Sequence, residues 1–254
     1  MEKIQVSRII QNAFLLPLSR IGYFSKSLVF PILLMVAIWS LWHAISPEAS
    51  LVNFSFYFSY IIAFVYFAII CHRLILVDMH QETLIPKASI YTIGRFTGLF
   101  IFVYFLSMLV EMAIITIVIN ILDNDVPATL SSDIASKDSE IVNKNIEIAE
   151  YVAYLPAMYI VGRFSLVFPA TALGYKTGLK WSWEATKKNG LHVLFIIALF
   201  PWALNILLSL IYRENATFIE QTLLMFFMHI SAAIGIFALS LTYRELRSIA
   251  EKKL

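Results

Sequence analysis

The sequence predicts an all-α polytopic membrane helix bundle: six transmembrane helices plus two interfacial amphipathic helices. Three observations predict it. Of the 254 residues, 60% are hydrophobic and only 14% charged, outside the usual range for soluble domains. The apolar residues gather into windows at about 27–46, 52–71, 96–122, 151–173, 191–212 and 222–243, each near or above the roughly 20 helical residues that cross a bilayer. Within these windows only Glu111 and Arg163 are Asp, Glu, Lys or Arg.

The windows are rich in Ile, Val and Phe, but they are too long for membrane strands, which need only about 9–11 residues of alternating polarity. A helix satisfies its backbone polar groups internally, as a bilayer demands. Six spans with short connections predict a single integral membrane domain over 1–254. The first long apolar run begins at Ser27 and has spanning length with no small-residue cleavage site behind it. It therefore reads as a span rather than a signal peptide. Cys71 is the sole cysteine, so no internal disulfide is expected.

Ahead of the first span, Val6, Ile9, Ile10, Ala13 and Phe14 fall on one face of a helix, opposite Gln5, Arg8, Gln11 and Asn12. This pattern predicts an interfacial helix over about 4–16, ended by Pro17 and Gly22. After the second span, Asp78, His80 and Glu82, with His72 nearby, read as a solvated loop rather than a metal site, because no ligand spacing repeats. The third span opens with Gly94 and Gly98 at GxxxG spacing, which predicts close helix packing. The following segment, 123–150, is acidic, and Pro127–Asn145 reads as a surface loop.

Beyond the fourth span, Leu179, Trp181 and Trp183 stand beside Lys180, Glu184, Lys187 and Lys188. A second interfacial helix over about 176–188 follows. Lys180–Glu184 and Glu184–Lys188 support it at i, i+4, and Trp181, Trp183, Lys180, Lys187 and Lys188 serve as membrane anchors. Asn215–Ala216–Thr217 is a glycosylation sequon that matters only in a eukaryotic secretory membrane. The repeated stretch Ser27–Pro31 and Ser165–Pro169 reads as chance.

Loop charge predicts the orientation. One side holds Lys3, Arg8, Arg20 and Lys26; Arg73, Lys87 and Arg95; Lys176, Lys180, Lys187 and Lys188; and Arg244, Arg247, Lys252 and Lys253. The other holds Lys137, Lys144 and Arg213. Basic residues stay cytoplasmic on insertion, so both termini are expected inside.

Glu111 and Arg163 are the principal site candidates. Counted from the outer ends of their spans they lie at similar depth, with His229 and Asn205 in the same half of the bilayer. A lone charge at mid-bilayer costs about 2.5–3.5 kcal/mol on insertion scales, so each calls for a partner or a wet cavity. A Glu111–Arg163 ion pair, completed by His229 or Asn205, is the simplest expectation, and it would fix helix register. The functional alternative is a proton- or ion-coupling site or an anchor for an anionic substrate. In a third arrangement Arg163 snorkels inward and Glu111 is protonated.

No nucleophile–base set, Gly-rich phosphate loop or HExxH motif occurs, so neither an enzyme activity nor a cofactor or metal is expected. The basic segments lie too close to the membrane to argue for nucleic acid. The expected partners are membrane lipids and other membrane proteins.

Gly162-Arg-Phe-Ser-Leu-Val-Phe-Pro-Ala170 and Leu179-Lys-Trp-Ser-Trp-Glu-Ala-Thr-Lys-Lys-Asn-Gly190 resemble segments of uncharacterised bacterial YciC-like inner-membrane proteins. Related segments occur in the membrane domains of some glycerophosphodiester phosphodiesterases. Cys71-His-Arg-Leu-Ile-Leu76 and Tyr243-Arg-Glu-Leu246 are further landmarks of the resemblance. It implies a six-helix fold in the bacterial inner membrane and supplies no accepted activity, the phosphodiesterase chemistry belonging to a separate domain. The resulting expectation is an accessory, scaffold or envelope-maintenance component. The alternative is a small transporter or lipid-handling protein built around the Glu111–Arg163 cluster.

Overall fold

A computed structural model describes residues 4–45, 50–77, 89–124, 135–210 and 216–251. Among them all regular structure is helical: α1 (Val6–Ser19), α2 (Ile21–Ile45), α3 (Ser50–Leu76), α4 (Ile90–Asn124), α5 (Ala135–Phe164), α6 (Val167–Ala172), α7 (Leu179–Thr186), α8 (Gly190–Leu194), a π-helical turn (Phe195–Leu199), α9 (Phe200–Ser209) and α10 (Phe218–Glu251). Six stretches are long and apolar enough to cross a membrane: Ile21–Ile45, Leu51–Leu76, Ile90–Ile121, Ile148–Ala172, Gly190–Ser209 and Phe218–Ile249. The chain is a multi-pass membrane protein.

Its residues form two compact units, Met1–Phe100 with Gly162–Leu254, and Ile101–Val161. The first unit holds most of the packing. In α2 the buried residues Phe24, Leu28, Pro31, Ile32, Met35 and Val36 recur at three- and four-residue spacing and make one inward stripe. The second half of α3 differs. Phe67, Ala68, Ile69, Ile70, Cys71, His72, Leu74 and Ile75 are all buried, so the helix is covered on every side there. α10 is similarly enclosed from Phe237 to Tyr243.

Span five carries Pro201 in the first turn of α9. A proline lacks the amide that would bond four residues back, and its ring crowds that carbonyl. The π-helical turn Phe195–Leu199 just ahead of it relieves both problems. The Pro201 ring then seats against α10 at Gly235, where an added Cβ would meet its Cγ at 3.0 Å.

Several expectations need correction. α1 runs through Pro17 to Ser19 and is ended by Arg20, while Gly22 lies inside α2. Helix α5 starts at Ala135, so the expected loop Pro127–Asn145 is helical in its latter part. Ile141, Val142, Ile146 and Ala149 supply helical spacing there, and propagation from an existing helix costs little. The second interfacial helix is shorter than expected, Leu179–Thr186. Among the described residues Gly94 and Gly98 make no close contact: a Cβ at either would meet nothing within 4 Å. Asp78, His80, Glu82 and Asn215 lie outside the described residues.

Candidate functional site: an arginine-clamped connector

The fourth span is interrupted. Helix α5 stops at Phe164, Ser165 and Leu166 form a turn, and α6 resumes for six residues, all of them buried. Gly174 at φ 85° then turns the chain into an extended stretch ahead of α7, a conformation natural only to glycine.

Arg163 sits just before the interruption and is 3% exposed. Its guanidinium donates from Nη1 to the Thr186 carbonyl at 2.9 Å and from Nη2 to the Trp183 carbonyl. Both acceptors lie in the last turn of α7, where helix carbonyls lack intrahelical donors and the dipole favours a cation. The Trp183 ring lies under the guanidinium carbon at 4.2 Å. In return, the Arg163 carbonyl accepts from Ser182 Oγ at 2.7 Å, while the single hydroxyl proton of Thr186 goes to the Ser182 carbonyl at 2.8 Å. Arg163 and α7 therefore hold each other through side chain and backbone in both directions.

Two further arginines repeat the pattern. Arg73 of α3 donates from Nε to the carbonyl of Ala172, the last residue of α6, at 2.6 Å. Arg95 of α4 donates to the carbonyls of Tyr175 and Thr177, both at 2.9 Å. Arg247 of α10 stacks over the Tyr175 ring at 4.5 Å. The buried Asn189 accepts the Ile4 amide on its Oδ1 at 3.3 Å, and Trp181 meets Tyr243 edge-on with centroids 5.8 Å apart. The connector 172–190 is thus pinned by the segment ahead of α1 and by α3, α4, α5 and α10.

The anchor residues divide accordingly. Lys180, Lys187 and Lys188 are exposed, Trp183 is 37% exposed and Trp181 is half-buried against Tyr243. The face of α7 turned inward is made by Ser182 and Thr186, both fully buried, rather than by the tryptophans.

The remaining candidates have other surroundings. Glu111 belongs to the other compact unit, half-buried, with Tyr154 within electrostatic reach. Asn205 is exposed. His229, 3% exposed, accepts or donates at Nε2 with Tyr60 Oη at 2.9 Å and bonds through Nδ1 to the Met225 carbonyl. His72 turns into the core and bonds Ser240 Oγ at 2.8 Å through Nδ1. Among the described residues no group of three metal-ligating side chains occurs.

No family model, curated protein or solved structure matches this chain. The assignment of a role therefore rests on the geometry.

Two cavities stand out, and both are apolar. One of about 200 Å³ is lined by Ile38, Trp39, Trp42, Phe56, Tyr57, Tyr60 and Met225. The other, about 180 Å³, lies among Phe14, Pro17, Leu28, Ile32, Ile230 and Phe237. Neither is lined by Glu111 or Arg163.

Sequence reasoning missed the partners of Arg163 and the roles of Arg73, Arg95, Ser182 and Thr186. Backbone carbonyls carry no residue identity, so a pattern search cannot find an acceptor of this kind. The i, i+4 pair Ser182 and Thr186 was legible as a polar stripe, but such a stripe faces water as readily as a buried backbone.

Proposed function

We propose that this is a non-enzymatic accessory or scaffold protein of the bacterial inner membrane, with both termini in the cytoplasm. Its working surface is the face built from α1, connector 172–190 and the end of α10. The observation that carries the reading is the clamp on the connector, in which Arg73, Arg95 and Arg163 are committed to backbone carbonyls. Arginines holding a surface segment rigid suit a docking platform better than a permeation path. The lysines Lys180, Lys187 and Lys188 on its exposed side would meet anionic headgroups or an acidic partner surface.

The resemblance to YciC-like proteins supports the same surface. Its landmark segments Cys71–Leu76, Gly162–Ala170, Leu179–Gly190 and Tyr243–Leu246 are distant in sequence yet contribute to one assembly, through Arg73, Arg163 and the Trp181–Tyr243 contact. Mild-detergent purification with identification of bound proteins and lipids tests the proposal. Wild type should carry a partner or anionic lipid that Lys180→Glu/Lys187→Glu/Lys188→Glu loses while keeping its melting temperature. A clean monomer carrying neither would overturn the scaffold role.

A lipid-handling role has one observation in its favour. The Tyr60–His229 pair stands beside the cavity of about 200 Å³.

A further inference from the structure

We infer that this cavity is a binding site for a phenol or hydroquinone ring dissolved in the membrane, with Tyr60 accepting a hydrogen bond from the ligand hydroxyl. The inference goes beyond the scaffold role and uses none of the connector residues.

The walls come first. Trp39 and Trp42 of α2, Phe56, Tyr57 and Tyr60 of α3, and Met225 of α10 line a half-open space of about 200 Å³. An apolar cavity of about 150 Å³ is enough to hold a benzene ring, so the space fits one substituted ring and little more. Flat indole and phenol walls suit a flat guest by offset or edge contact, and Met225 adds a polarizable sulfur. Tyr57 is 59% exposed, so the cavity is reached from the surface of the helices and a guest can enter from the lipid. The mouth is held in place by Trp42, which donates from Nε1 to Asn53 Oδ1 at 2.8 Å.

Tyr60, one of the walls, sets the chemistry. The Met225 carbonyl can only accept, so His229 Nδ1 carries the proton of the bond between them. In the neutral imidazole Nε2 is then an acceptor, and Tyr60 donates its single hydroxyl proton to it at 2.9 Å. The phenol oxygen of Tyr60 has lone pairs left and no second proton. Its remaining capacity is acceptance, so the complementary guest brings a donor. A hydroxylated ring meets both demands. An acyl chain meets neither, since it has no donor and no flat face. A ketone or ether would place oxygen against oxygen.

Tryptophan fluorescence of the purified full-length protein in lipid nanodiscs tests this. Two of the five tryptophans, Trp39 and Trp42, line the cavity. The probes are 4-propylphenol and its methyl ether, which have nearly the same shape and differ in the donor. Wild type should show saturable quenching, with the phenol binding about 2- to 10-fold more tightly than the ether, the range expected for one neutral hydrogen bond. Tyr60→Phe should bind both probes and lose the preference. Trp42→Leu should lose saturable binding of both while retaining the wild-type gel-filtration profile. Equal affinities of wild type for phenol and ether would overturn the inference, as would non-saturable quenching. Displacement of the phenol by decane at equal concentration would show an acyl-chain slot instead.

Discussion

The two ends of the larger unit solve the same problem in opposite ways. Both contain buried polar groups inside a membrane bundle. At the connector end, guanidinium groups are bound to carbonyls at helix ends, and the surrounding halves of α3 and α10 are closed off. At the aromatic end, His229 and Tyr60 satisfy each other beside an open cavity, and the flanking residues Leu51, Phe54, Tyr57 and Phe58 of α3 are exposed. The difference teaches that burial of a polar group does not by itself mark a site. A group whose capacity is filled by backbone fixes structure, whereas one left with directional capacity beside empty space can take a ligand.

This contrast can be broken by mutation. The largest effect is expected at the connector end. Arg163→Ala removes two charge-assisted hydrogen bonds and a ring contact, and should cost about 3–5 kcal/mol, seen as lost folded yield and a lower melting temperature in detergent. Exchanging the charges, Arg163→Glu with Glu111→Arg, should leave the loss in place, because a carboxylate cannot donate to the Trp183 and Thr186 carbonyls. Recovery of yield in the exchanged protein would instead favour a Glu111–Arg163 pair.

Next comes Gly235→Ala, which places a Cβ 3.0 Å from Pro201 Cγ. A proline ring gives little, so the expected cost is about 1–3 kcal/mol, read from thermal unfolding. Ser182→Ala should cost about 1 kcal/mol by removing the hydroxyl donor to the Arg163 carbonyl. The smallest effect is expected for Glu111→Gln. Glu111 is half-buried in α4, and the change should stay within about 0.5 kcal/mol in the same unfolding assay. A large loss there would make the two intramembrane charges equal in rank and end the distinction drawn between them.

Much of the fold was legible because hydropathy is a sum over many residues. Each of the six predicted spans has a helix, and helices α1 and α7 were legible in the spacing of their apolar residues. What depended on single contacts was not legible. Arg163 stood out as a charge in an apolar window, but its acceptors are backbone carbonyls of α7, and the interruption at Ser165 and Leu166 beside it leaves only a weak trace in Gly162 and Pro169. Gly94 and Gly98 show the reverse error, a packing motif in sequence without a close neighbour in space. Tyr60 was invisible because one tyrosine among twelve gains meaning only from the histidine opposite it.

Arg163 locks the connector through its bonds to the Trp183 and Thr186 carbonyls. Hydrogen–deuterium exchange on wild type and Arg163→Met, which keeps the apolar stem, tests it most directly. Amides of 172–190 should exchange at least about 10-fold faster in the variant, since the lost bonds are worth more than one decade, while those of Phe67–Ile75 and Phe237–Tyr243 keep their protection. Unchanged exchange across 172–190, or an equal rise throughout the bundle, would contradict it.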